Sequence, residues 1–238
     1  MISLLYRSCE GIEQVRDLFR KYIIDKTGVE HIYEVFTCLH RTYSKVLRKS
    51  IEDEISSGYL QRKGNPFHYN YLIIDGDKLF KILDRYSSNE LLLKDITNND
   101  FEEFKGSCDY GGKGTNNRKH SHLVPGKQIL LETFNQKKMA ARFVKIAQVW
   151  KSGGGVVVLH LFTETNHYEA MAREFAIIKA LGLNNITNEI NSSPFGAMKY
   201  WNHFEIINYG NMLLYNALKM AITEKPPLIY PDDVRTRK

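Results

Sequence analysis

A chain of 238 residues with 43% hydrophobic and 25% charged residues can bury a sizeable core, as one large domain or as one domain with extensions. No apolar run approaches the roughly 18 to 20 residues that a membrane span needs, and acidic residues stand where a signal peptide starting at Met1 would continue its apolar core, so an intracellular location is the expectation. The net charge of +6 favours a polyanionic partner through long-range attraction and counterion release.

From 12 to about 56 the apolar residues recur at helical spacing, with Ile12, Val15, Leu18, Phe19 and Tyr22 on one face and Ile32, Val35, Phe36 and Leu39 on another. Arg41, Lys45, Arg48 and Lys49 crowd the last of these helices and read as a solvated basic face, with a DNA-facing surface as the alternative. A turn-rich, charged break over 58–66 follows, and then the period changes. The run YNYLIID (69–75) is β-branched and aromatic, which predicts a strand stopped by Gly76 and Asp77. Residues 78–106 form an insertion with helical character, and 107–112 a second short strand that feeds a glycine turn, GGKGT.

A helix is predicted from about Asn117 and another over 127–151, with Ile129, Leu130, Phe134, Phe143, Ile146 and Val149 as its apolar positions. The run GGGVVVLHLF (153–162) is nearly continuous and β-branched, so it is expected at the centre of a sheet. A helix over 168–181 ends at Gly182, a natural residue just past a helix C-terminus. One more helix runs through Met220, and the Pro-rich basic tail after it is expected to be mobile. Cys9, Cys38 and Cys108 are an odd number without C-x-x-C pairing, so they read as reduced thiols.

The segment DYGGKGTNNRKHSHL (109–123) gathers the groups that handle phosphate. Tyr110 can exchange a proton, Gly111 and Gly112 let backbone approach a ligand, and Lys113 and Arg118 match an anion by point charge and by fork geometry. Arg118 and His122 are four residues apart, neighbours on a helix turn. A nucleotide-binding P-loop is excluded, since Gly114 follows Lys113 where Ser or Thr is required. On the helix HYEAMAREFAIIKALG, Glu174 falls within the stripe of Ala170, Met171, Ile177, Ile178 and Leu181. A carboxylate there needs a partner or a cation, because desolvating the ion costs several kcal/mol. Glu169 is four residues before Arg173 and reads as a surface ion pair.

Taken in chain order, NYLIID with Tyr71, DYGGKGTNNR with Tyr110, Arg118 and His122, EAMAREFAIIKALGL with Glu174, and ITN with Asn188 resemble the GIY-YIG endonucleases over about 66–200. Within them the pattern is most similar to the subfamily typified by the ankyrin-repeat and LEM-domain endonucleases. Tyr69-Asn70-Tyr71 stands for the G-I-Y triplet and Tyr110-Gly111-Gly112 for Y-I-G; loss of the first glycine is shared with that subfamily. Neither ankyrin repeats nor a LEM domain is visible in the 238 residues.

The resemblance implies an α+β fold: a small central three-stranded antiparallel or mixed sheet flanked by helices. It divides the chain into a helical N-terminal region (1–64), a nuclease-like domain (65–200, with the insertion 78–106), and a C-terminal helix with basic tail (201–238). It implies a metal-dependent endonuclease acting on DNA, with RNA left open, and with branched or flexible DNA as the preferred substrate. In this reading Glu174 holds Mg²⁺ or Mn²⁺, Tyr71 or Tyr110 is the general base, and Lys113, Arg118 or the cation lowers its pKa. Arg118 also stabilises the transition state, His122 orients water or phosphate, and Gly112 and Asn188 support the site. The competing reading is a nucleic-acid-binding module that keeps the fold and cleaves nothing.

Overall fold

The computed structural model describes residues 32–61, 67–87, 93, 96–115, 121–132, 139–190 and 192–235. The chain is α+β, built on a three-stranded antiparallel sheet. Helix α1 spans Ile32–Ser56, and the predicted helical positions from Ile12 to Tyr22 lie outside the described residues. Strand β1 is His68–Asp75, followed at once by α2, Gly76–Ser87. The insertion contributes a second helix, α3, Asn98–Ser107, started by a capping box in which the Thr97 side chain and Asp100 satisfy each other's backbone N–H groups. Tyr86 donates to Asp100 at 2.6 Å and Arg85 pairs with it at 2.6 Å, which ties α2 to α3.

Strand β2 is Cys108–Thr115 and β3 is Val156–Thr165, in the spatial order β2-β1-β3. β3 is therefore an edge strand, contrary to the expectation from its continuous apolar run. Along it Val157, Leu159 and Leu161 are buried while the alternate residues Val158, His160 and Phe162 are part-buried, so the apolar run reports cover by the core, whereas position in the sheet is set by pairing. The central place belongs to β1, of which every residue except Asp75 is buried. The predicted glycine turn is likewise part of β2: Gly111, Gly112 and Gly114 pair with Leu72, Tyr71 and Tyr69.

The predicted long helix over 127–151 is two helices, α4 (Leu123–Leu130) and α5 (Ala141–Lys151). Glu132 adopts φ +56°, a left-handed conformation that stops α4 soon after its last turn. Helix α6, His167–Leu181, is started by Asn166, which accepts from Glu169 N–H, and is stopped by Gly182 at φ +79°. Helix α7, His203–Glu224, opens with a second capping box, Asn202 with Glu205.

The sheet separates two hydrophobic clusters. On one face Leu72, Ile74, Leu159 and Leu161 pack with α6 and α7 through Ala172, Ala176, Ile177, Leu213 and Leu214. Gly210 lets α7 lie directly on the α6 backbone at Ala176, where a Cβ would collide. On the other face Tyr69, Tyr71 and Ile73 pack with Leu123, Ile146, Val149 and Trp150 of α4 and α5.

The tail after α7 is held in place up to Val234, against the expectation of mobility. Ile229 and Val156 exchange backbone hydrogen bonds at 2.8 and 3.0 Å, Trp150 Nε1 donates to Ile229 O, and Val234 is buried. Polarity alone suggested freedom; Ile229 and Val234 within it anchor it. Among the described residues no helix is long and apolar enough to cross a membrane.

The Glu169–Arg173 pair is present but buried, which corrects its reading as a surface pair. Oε1 of Glu169 lies 2.6 Å from Arg173 Nη2, and the two side chains are 2% and 5% exposed. Arg48, one of the basic residues of α1, reaches the same carboxylate at 3.3 Å. The packing of α1 over the first turns of α6 encloses what an isolated helix would have left in water.

Candidate active site

Tyr71 stands mid-way along the central strand, and its hydroxyl lies 2.5 Å from Nε2 of His122. The rings of Tyr71, Tyr110 and His122 form a triangle with centroid separations of 5.4 to 5.9 Å. His122 is the residue immediately before α4, at φ −82° and ψ −24°, so the first turn of that helix fixes its ring over β1 and β2. Phe143 of α5 stacks on its far side at 6.0 Å.

The glycines of β2 make room for this cluster. Gly112 is directly opposite Tyr71, and a Cβ there would meet the Tyr71 hydroxyl at 2.6 Å and Tyr110 Cε1 at 2.7 Å. Gly114 does the same for Tyr69, whose ring passes over it. Two tyrosines thus lie flat across glycines of the neighbouring strand, an arrangement any larger residue would displace.

β2 is also an edge strand, and side chains take the place of a fourth strand along its open side. Thr187 donates to Asp109 O through both its N–H and its hydroxyl, each at 2.8 Å. Asn188 accepts from Gly111 N–H at 3.1 Å and donates to Gly111 O at 2.7 Å. Glu174 Oε1 accepts from Lys113 N–H at 3.1 Å. Asp109, Gly111 and Lys113 of β2 are therefore met in turn by Thr187, Asn188 and Glu174, which places the α6 carboxylate at the strand edge beside the phenols.

The electrostatics follow from burial. Desolvation pushes the Tyr71 hydroxyl far above the ordinary phenol range; neighbouring Tyr110 and the Glu174 charge add to this, and Arg142 opposes it. Tyr110 is raised as well, first by burial, with Arg142 again pulling downward and Glu174 upward. Glu174 is itself raised by burial, offset by the Ser192 hydroxyl and by the charge and N–H of Lys113. Both phenols keep their protons at neutral pH.

Glu174 could hold a hard cation. Asn188 is committed to Gly111, and the Asp109 carboxylate lies 3.7 Å from Lys145 Nζ. Among the described residues no group of three or more His, Cys, Asp or Glu is poised as a metal cage. One carboxylate completed by water and substrate phosphate is a donor set that Mg²⁺ accepts, because it dehydrates reluctantly and bridges readily to phosphate.

Of the residues expected from sequence, Tyr71, Tyr110, Gly112, Lys113, His122, Glu174 and Asn188 converge here, while Arg118 lies outside the described residues. Arg142 was not anticipated. Its guanidinium carbon lies 5.4 Å from the Tyr110 ring centroid and 4.5 Å from that of Phe143. The signal was obscured because 127–151 read as one helix with Arg142 in its middle; the break before α5 brings it to the first turn, facing the phenols.

The LEM-3-like GIY-YIG domain family matches residues 68–236. Ankyrin repeat and LEM domain-containing protein 1 of Mus musculus is 28% identical over 174 residues, 71% of this chain and 30% of that protein. Its Homo sapiens counterpart is 33% identical over 129 residues, 54% of this chain and 21% of that protein. The Caenorhabditis elegans homolog is 28% identical over 174 residues, 72% of this chain and 23% of that protein. The chain thus spans less than a third of the length of these relatives, and no solved structure matches it. A match over residues 68–236, which include the sheet, both phenols, His122 and Glu174, places the chain in the LEM-3-like GIY-YIG domain family.

Proposed function

We propose that this protein is a divalent-metal-dependent endonuclease that hydrolyses phosphodiester bonds of DNA, with branched or flexible DNA preferred, and that residues 65–200 carry the chemistry. The observation that carries the reading is the hydrogen bond between the Tyr71 hydroxyl and His122 Nε2, beside a Glu174 largely removed from water at the β2 edge. Family membership supports a nuclease, and the net charge of +6 suits a polyanionic substrate.

Tyr71 is the better candidate for general base, because its hydroxyl has the His122 ring nitrogen in contact. With Nδ1 carrying the ring proton, His122 Nε2 accepts from Tyr71. As water attacks phosphorus, its proton passes to the Tyr71 oxygen while the phenol proton passes to Nε2, so no free phenolate need accumulate. A new P–O bond forms, one ester P–O bond breaks, and the departing oxygen takes a proton from solvent. Glu174 would hold Mg²⁺ or Mn²⁺, which supplies charge neutralisation at the phosphate when bound. Arg118 and Lys113 add positive charge for the transition state, and Tyr110 packs against Tyr71 and orients it. Asn188 and Gly112 hold the strand edge and clear the space.

The test is a nicking assay on supercoiled plasmid, linear duplex and a four-way junction with Mg²⁺ or Mn²⁺, run beside Glu174→Gln and Arg118→Ala. Cleavage by the unaltered protein and its loss in Glu174→Gln is the expected result; equal cleavage by both overturns the assignment. If neither cleaves and both bind DNA with a steep salt dependence, the chain is a binding module that has kept the fold.

A further inference from the structure

We infer that Arg142 is a second phosphate-binding cation of the site, contacting the DNA phosphate presented to Tyr71 and Tyr110; the inference rests on the nuclease reading above. Three independent features of the side chain point this way. Its guanidinium lies against the Tyr110 and Phe143 rings, at 5.4 and 4.5 Å, so it is fixed beside the phenols instead of trailing in solvent. Its Nε is buried with no hydrogen-bond partner, and among the described residues no carboxylate pairs with it. A desolvated donor left unsatisfied costs free energy that a bound oxyanion would recover.

The position on the helix is the third feature. Arg142 is the second residue of α5, whose first turn contains no acidic residue and whose N-cap, Ala140, gives no side-chain hydrogen bond. A cation at that end opposes the helix dipole, and stability alone would favour Asp or Glu there. Positive charge, helix N-terminus and desolvated donor add up in one place, and that sum is repulsive in the free protein and attractive once a phosphate enters. The planar fork rests on aromatic faces, a pose for which arginine is suited and lysine is not.

The experiment compares unaltered protein, Arg142→Met and Arg142→Lys in single-turnover cleavage of a four-way junction with Mg²⁺, at saturating and subsaturating enzyme. Thermal melts run alongside, and Arg142→Gln is the replacement should Arg142→Met fail to fold. Removal of one such donor is expected to lower the saturated rate about 100-fold, with lysine restoring only part of it. The slope of log affinity for duplex against log salt, measured without metal, should fall in magnitude by about 0.9 in Arg142→Met. An unchanged saturated rate in Arg142→Met, with Glu174→Gln inactive, overturns the role of Arg142 and leaves the nuclease reading intact. If the unaltered protein itself cleaves nothing, the nuclease reading fails and the salt slope alone decides: a drop supports the phosphate contact, and no change overturns it.

Discussion

The Tyr71 hydroxyl and His122 Nε2 stand 2.5 Å apart, joining the centre of the sheet to the residue just before α4. If the two move protons together, Tyr71→Phe and His122→Ala each lower the single-turnover rate by about 10²- to 10⁴-fold. The double variant should be little worse than the poorer single one, since each breaks the same relay. Rates at saturating enzyme check this. Effects that multiply would show that His122 and Tyr71 act separately.

Glu174→Gln should separate stability from activity. The amide keeps an oxygen for Lys113 N–H while removing a charge that burial disfavours. A carboxyl whose folded pKa is raised contributes stability that is full below its ordinary pKa and is lost as pH rises through the folded value. At neutral pH the Gln variant is therefore expected to melt at or above the temperature of the unaltered protein while losing cleavage and calorimetric Mg²⁺ binding. A large fall in melting temperature would mean the carboxylate is there for the fold.

Much of the site was legible because its residues lie in short, chemically distinctive runs: Tyr71 in NYLIID, Tyr110 and Lys113 in DYGGKG, Glu174 in EAMARE. What escaped depends on contacts between distant segments. No local pattern says that Val156 meets Ile229, which holds the tail, or that Arg48 of α1 reaches Glu169 of α6. The strand order was misjudged for the same reason, since hydrophobicity reports burial and not neighbours. Arg142 was hidden by a helix boundary, the feature that periodicity resolves least well.

Three glycines should respond differently to alanine. At Gly112 the new Cβ displaces the Tyr71 and Tyr110 rings, so cleavage should fall at least 10-fold even where the fold survives. At Gly114 it displaces Tyr69, so overpacking should cost about 1 to 3 kcal/mol of stability with a smaller effect on the saturated rate. Gly106, within α3 and with open space around its Cβ position, should gain about 0.5 to 1 kcal/mol as alanine. Denaturant melts paired with cleavage rates distinguish the three, and equal behaviour at 112 and 114 would remove the special place of the Tyr71 ring.

Asp109 makes stability depend on pH. Burial pushes its carboxyl up to about 6, with Lys145 pulling the other way. Its contribution is therefore full below about pH 4 and lost as pH rises through about 6. Asp109→Asn should match the unaltered protein near pH 4 and exceed it above pH 6.5, by up to about 3 kcal/mol. Urea denaturation at four pH values between 4 and 7 reads this directly, and a difference that stays flat would show that Lys145 holds the carboxylate charged throughout.

The Glu169–Arg173 pair separates a buried ion pair from the surface pair its spacing suggested. Arg173 is 5% exposed, has its Nε buried without a hydrogen-bond partner, and lies 4.7 Å over Phe162, a residue held at φ +51°. Removing its carboxylate leaves the guanidinium desolvated and uncompensated, which costs about 3 to 5 kcal/mol, against about 0.3 to 0.5 for an exposed helix pair. Glu169→Ala should also release Arg48 and weaken the seat of α1, so protease cleavage within residues 40–61 should accelerate. Glu169→Gln retains an acceptor and should lose less. A loss under 1 kcal/mol in Glu169→Ala, with unchanged proteolysis, would mean that water enters the pair and that α1 is held by its apolar contacts alone.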